Sequence, residues 1–175
     1  MRKVQRLFIC LLALVALSGC IGTPETVRPV DDFYLPAYLG KWYEVARLDH
    51  SFERGLTHVT AEYSELDDGS VQVINRGWDE EEQAWQEAVG NAKFVEQTDI
   101  GHLKVSFWGP FYSSYVVFYL EEDYSAALVT GYNTDYFWIL SRAQTLPDYK
   151  MKKYLRIAKQ AGINTDELIF PYQDK

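Results

Sequence analysis

Few side chains in these 175 residues are placed to do covalent or acid–base chemistry. The three histidines, His50, His58 and His102, lack metal spacing such as H-E-x-x-H, and there is neither a G-x-S-x-G elbow nor a P-loop. Asp49, His50 and Ser51 supply the residue types of a nucleophilic triad, but neighbours on an extended chain point apart, and a triad needs spatial convergence. No catalytic residue, metal ligand or cofactor is assigned on these grounds. Cys20 stands apart. It follows an uncharged apolar run over residues 7–17 preceded by Arg2, Lys3 and Arg6, and the small Ser18 and Gly19 before it let a peptidase close on the chain.

That run is too short to span ~30 Å of hydrocarbon and reads as the apolar region of a signal peptide. Residues 17–20, Leu-Ser-Gly-Cys, match a bacterial lipobox, in which the thiol is the nucleophile that receives diacylglyceryl before cleavage. Residues 1–19 are then a cleaved lipoprotein signal peptide. Cys10 leaves with it, so the mature chain, residues 20–175, holds a single cysteine that lipid consumes, and no disulfide framework is available. About three acyl chains of the palmitate kind, at ~0.8 kcal/mol per buried CH₂, make attachment to the membrane durable. Ile21 stands where an Asp commonly retains lipoproteins in an inner membrane, so resemblance to that sorting rule implies the outer membrane, with the body facing the periplasm. Residues 20–31, with Gly22, Pro24 and Pro29, read as the lipidated cysteine and a tether reaching at most ~35 Å.

Residues 32–175 form one domain by length, and a composition of 47% hydrophobic and 24% charged residues suits one sizeable core. The net charge is −8, and without the signal 14 basic residues face 25 acidic ones, giving −11. This is the wrong sign for neutralising phosphates, so nucleic acid is not an expected partner. The 13 Tyr, 9 Phe and 5 Trp exceed what a simple core requires and suit a surface that grips something apolar.

Eight short β-rich runs separated by turn signals fill the middle of the chain: 42–48, 57–64, 71–76, 85–94, 103–107, 115–120, 126–130 and 136–141. Turns at 67–70, 79–83, 96–101 and 121–124 are short enough to favour antiparallel, up-and-down neighbours. Residues 148–160 read as a helix, with Pro147 in its first turn, Met151, Leu155 and Ala158 on one face and Gly162 as its stop. Residues 168–170 read as a short final strand. Periodicity alone leaves open whether these strands close into a barrel, which can hold one small ligand, or stack as a sandwich, which fills itself.

Three spaced motifs carry a resemblance: Gly40-Lys41-Trp42-Tyr43, then Asn133-Thr134-Asp135-Tyr136, then Arg142 after Trp138-Ile139-Leu140-Ser141. With longer strings such as Val73-Ile74-Asn75-Arg76-Gly77 and Gly109-Pro110-Phe111-Tyr112, the chain resembles the lipocalins, specifically the bacterial lipocalin branch of outer-membrane lipoproteins related to apolipoprotein D. The resemblance covers residues 32–172 and implies an all-β fold: an eight-stranded antiparallel up-and-down barrel with the C-terminal helix packed outside and a short final strand. Gly40, Trp42, Thr134, Asp135, Tyr136 and Arg142 are its structural signature, with Trp42 plugging the closed end and Arg142 lying across its ring, a cation–π contact of ~0.5–2 kcal/mol. Residues 32–39 cross under that end.

Period-two alternation from Trp42 and Arg142 points Glu44, Ala46, Val59, Ala61, Tyr63, Val73, Asn75, Ala92, Val105, Phe107, Tyr115, Val117, Tyr119 and Trp138 into the barrel. The open end is expected to hold residues 49–56, 75–83, 107–114 and 121–124, with Trp108, Phe111 and Tyr112 as an aromatic rim and Arg54 and Arg76 able to meet a phosphate. About 14 buried CH₂ groups at ~0.8 kcal/mol each, less association costs of ~4 kcal/mol or more, give micromolar or somewhat tighter binding. One acyl chain suffices, so the expected ligand is a fatty acid or lysophospholipid, stored or transported, and the resemblance implies envelope maintenance under stress. Two other readings stand beside it: a structural or interaction lipoprotein with a filled barrel, and a lipid-modifying enzyme. A homodimer is compatible with the sequence.

Overall fold

A computed structural model describes residues 21–173, so Cys20 and the signal segment lie outside the described residues. Eight strands run β1 (Gly40–Arg47), β2 (Leu56–Glu65), β3 (Val71–Asp79), β4 (Ala84–Phe94), β5 (His102–Trp108), β6 (Phe111–Leu120), β7 (Ala126–Thr130) and β8 (Phe137–Ser141). Each pairs antiparallel with its neighbour, and β8 returns to β1, so the sheet closes as an up-and-down barrel. Tight turns enforce the order. Gly69 takes φ +77° between β2 and β3, and Gly109, at +56°, makes the two-residue turn between β5 and β6.

Two apolar layers follow from the alternation of side chains along the strands. The inner one gathers Trp42, Ala61, Tyr63, Val73, Ala92, Leu103, Val117, Val129 and Leu140. The outer one, with Val45, Val116, Leu128, Phe137 and Ile139, is covered by Tyr154 and Ala158 of helix α2 (Asp148–Gln160), whose spacing of four keeps both on one face. Helix α1 (Leu35–Tyr38) crosses under one end. The segment expected as a final strand contributes a single bridge, Ile169 to Arg47.

Residues 21–31 do not hang free as a tether; they lie along the wall. Ser114 Oγ donates to the Gly22 carbonyl at 2.6 Å, Thr26 Oγ1 to Ala161 O at 2.7 Å, Val27 is buried, and the Val30 N–H bonds to Val117 O. The apolar Val27 and Val30, spaced among polar residues and prolines, make this docking favourable.

The C-terminal residues have a comparable task. β1 and β2 pair directly only from Gly40 to Tyr43, because a bulge in β2 between Thr57 and Thr60 carries the strands apart toward the open end. Into that seam the tail inserts: His58 N–H donates to Tyr172 O, and Gln173 Nε2 donates to Glu44 O at 2.6 Å and Val59 O at 2.8 Å.

Candidate functional site

The closed end is built on Trp42, which is fully buried and whose indole N–H donates to Tyr38 O at 2.8 Å. Arg142, at the end of β8, lies 3.9 Å over the Trp42 ring and donates to the carbonyls of Lys41 (2.7 Å), Ala37 (2.9 Å) and Leu39 (2.8 Å). Gly40 beside it takes φ +85°, a conformation that favours glycine. Thr134, Asp135 and Tyr136 do not join this plug. They sit between β7 and β8 at the opposite end, where Asn133 Nδ2 donates to Asp135 Oδ2 and Tyr136 stacks near His50 and Trp138. Strand alternation fixes this, since every odd-to-even turn of the barrel lies at the open end. For the same reason the 121–124 turn, expected at the mouth, lies at the closed end, where Tyr124 Oη accepts from the Tyr34 N–H.

Inside the barrel, most of the expected wall is in place. Ala61, Tyr63, Val73, Ala92 and Val117 belong to the inner cluster, and Val105, Phe107, Tyr115 and Trp138 pack at its edge. Val59 is buried and approaches the position a Gly77 side chain would occupy. Asn75, opposite Ala61, has a buried Oδ1 with no partner. Two residues are misplaced by simple alternation. Ala46 pairs with Ile139 and joins the layer under α2, because a bulge between Glu44 and Ala46 resets the parity of β1. Tyr119 is turned out likewise by a bulge between Val117 and Tyr119, and its ring meets Tyr154 of α2 at 5.8 Å. The small residues of β4 do not all leave space, since a Cβ on Gly90 would come within 2.8 Å of the Phe107 ring, which fills that volume.

The bulge in β1 has a further effect: it brings Arg47 inward beside Glu44. Arg47 Nη1 donates to Glu44 Oε1 at 2.6 Å, and Nη2 donates to the carbonyls of Glu53 and Leu56. Glu53 Oε2 lies 3.2 Å from His50 Nε2 and accepts from Trp138 Nε1 at 3.0 Å. All of Glu44, Arg47, His50 and Glu53 are buried. Burial and the neighbouring Glu53 push the Glu44 carboxyl well up, while hydrogen bonds and charge from His50 outweigh burial to hold Glu53 below the usual range. Each buried acid therefore has a polar partner: Arg47 for Glu44, and His50 and Trp138 for Glu53. Sequence reading missed Arg47 and Glu53 as interior groups, since strict alternation sets Glu44 and Arg47 on opposite faces. Deeper in, Tyr115 Oη hydrogen-bonds both Tyr38 Oη (2.7 Å) and Tyr63 Oη (2.8 Å), and burial raises all three phenols so they remain protonated.

At the mouth, Trp108 and Phe111 are 78% and 75% exposed. Tyr112 lies 5.3 Å from Lys104 Nζ. Arg54 is engaged by Asp49 at 2.9 Å. Arg76 stands on the outer face of β3, between inward Asn75 and Gly77, with its guanidinium 4.6 Å from the Trp85 ring, so it lines an exterior groove of about 220 Å³ with His58 and Lys41 instead of the mouth. Among the described residues no group of three or more His, Cys, Asp or Glu could hold a metal, and no helix is long and apolar enough to cross a membrane.

A barrel plugged at one end and lined by apolar side chains that open toward the other defines a binding protein for a small apolar ligand. Residues 32–173 match the lipocalin-like domain family, and the chain belongs to it. It is 54% identical over 170 residues to the outer membrane lipoprotein Blc of Vibrio cholerae, covering 97% of this chain and 99% of that one. Against the outer membrane lipoprotein Blc of Escherichia coli K12 it is 45% identical over 160 residues, 91% and 90% of the two chains. Insecticyanin from the tobacco hornworm Manduca sexta shares the fold, with a TM-score of 0.69, 22% identity and 86% coverage of each chain. The protein is thus a lipid-anchored lipocalin of the outer membrane.

Proposed function

We propose that the barrel stores or carries one acyl chain, as a fatty acid or lysophospholipid, on a periplasm-facing body anchored through Cys20, for envelope maintenance under stress. The observation that carries this reading is the gradation of burial along the inner wall. Trp42, Val71, Val73 and Leu103 near the plug are sealed, whereas Val105, Phe107 and Trp138, nearer the mouth, pack at the edge of the inner cluster and stay only half-buried. An elongated guest would cover these side chains with its tail and leave its polar end near the buried Glu44–Arg47–Glu53 cluster or the rim. The contents support binding over catalysis: the acidic and basic groups of the interior are committed to one another, Glu44 to Arg47 and Glu53 to His50 and Trp138.

A filled barrel is the second reading, favoured by the Phe107 ring lying over Gly90. Mass spectrometry of lipid extracted from protein purified without its signal segment separates the two. A bound single-chain lipid at near-stoichiometric yield supports carriage. Protein that is lipid-free and shows no saturable change in Trp fluorescence with added lysophosphatidylcholine would sink it.

A further inference from the structure

Asn75, Tyr38, Tyr63 and Tyr115 bring polar groups into the interior that the Glu44–Arg47–Glu53 cluster does not engage. Asn75 faces into the barrel, since it pairs with Ala61 of the inner cluster on one side and with Ala88 on the other. Its Oδ1 is buried and accepts from no group of the described residues. Both neighbours are small, and Ala88 is exposed although it faces inward, so there is room in front of the amide. Tyr63 is the diagonal neighbour of Asn75, because Tyr63 pairs with Val73 and Ala61 with Asn75, and residues so placed share a face at about 7–8 Å.

The phenols have a proton to spare. Tyr115 Oη hydrogen-bonds Tyr38 Oη and Tyr63 Oη, so three hydroxyls share two bonds, and one O–H donor is left over in every arrangement of the protons. Among the described residues these are the only hydrogen bonds the three hydroxyls make. An amide oxygen short of a donor and a phenol short of an acceptor are complementary, and each is costly in a low-dielectric interior. A chain of methylenes passing between them satisfies neither. An ionised carboxylate accepts from the phenol but offers nothing to Oδ1. A hydroxyl both donates and accepts, so one group can serve both.

We propose that the barrel selects an acyl chain bearing a hydroxyl near mid-length, which donates to Asn75 Oδ1 and accepts from the Tyr38–Tyr115–Tyr63 set. The inference rests on the reading of the barrel as an acyl-chain carrier and deepens it to a class of ligand. The position along the chain follows from the fold. Asn75 is four residues from Asp79, the mouth end of β3, or ~13 Å along the strand, about ten extended CH₂ groups from a polar end held at the rim.

The test titrates the mature chain with octadecanoate and with its 2-hydroxy and 10-hydroxy forms, followed by Trp fluorescence. The 10-hydroxy acid should bind roughly tenfold more tightly than octadecanoate, and the 2-hydroxy acid, whose hydroxyl stays at the rim, should show no such gain. Asn75→Leu, and separately Tyr63→Phe combined with Tyr115→Phe, should each shrink the ratio of the 10-hydroxy to the unsubstituted affinity several-fold. Equal affinity for the three acids overturns the hydroxyl site while leaving acyl carriage standing, and that comparison needs no variant. An equal gain from the 2-hydroxy acid overturns it too, as does a 10-hydroxy preference that Asn75→Leu leaves intact. If none of the three acids binds, acyl carriage itself fails, and the selectivity falls with it.

Discussion

Arg142 meets three backbone carbonyls and one aromatic face, a set of contacts that only a planar, five-donor cation can satisfy together. Arg142→Lys keeps the charge but not the fork, and is expected to lower stability by about 2 kcal/mol, with Arg142→Met costing roughly twice that, read as shifts in urea midpoint. Glu44 calls for a different measurement. Its folded carboxyl is raised, so its contribution to stability is full below the ordinary glutamate range and is lost as pH rises through the raised value. Glu53, held low, contributes above the ordinary range and loses that contribution as pH falls through its lowered value. Glu44→Gln stays neutral at every pH, so its unfolding free energy should gain on the parent between about pH 5 and 8. A constant difference across that window would show that Glu44 is ionised in the fold. The acid was legible in the sequence as an inward residue. Its partner Arg47 was not, because contact between them depends on one extra residue in the strand.

Two bulges, in β1 and β6, account for both errors in the predicted wall, and each turns its strand at the point where the outer face begins to pack on α2. Bulges leave little trace in composition, whereas the strands, short turns and helix were readable from period and from Gly, Pro and Asp positions. Gly90 is a related case at the level of a strand pair. Gly90→Ala would press a Cβ against the Phe107 ring and, at 2.9 Å, the Ser106 carbonyl, so it should destabilise by ~1–3 kcal/mol in chemical denaturation. The C-terminal tail closes the β1–β2 seam through Ile169, Tyr172 and Gln173. Truncation before Leu168 should speed hydrogen exchange at the Arg47 and His58 amides by roughly 10-fold or more while leaving Tyr43, paired directly with Thr60, protected. Unchanged exchange at His58 would mean the seam holds without the tail.

At the scale of the whole molecule, a plugged cup of net acidic charge is held at a membrane by lipid and not by electrostatic attraction. Lysophosphatidylcholine should therefore change the fluorescence of the mature chain saturably near micromolar concentration, with little dependence on salt, since the gain comes from burying CH₂ groups. Trp138→Phe, which removes the donor to Glu53 at the edge of the cavity, should weaken that change; a salt-steep titration would instead point to headgroup charge as the driving force. The sequence by itself determined the number and order of strands, the outside helix and the apolar character of the wall, because each is written in local spacing and residue type. Only the tertiary structure decided which end each turn occupies, which residues the bulges reverse, the partnership of Glu44 with Arg47 and Glu53, and the docking of residues 21–31 on the wall. These depend on closure of β8 onto β1, which brings together residues about ninety apart in the chain and sets their register by packing instead of by any local signal.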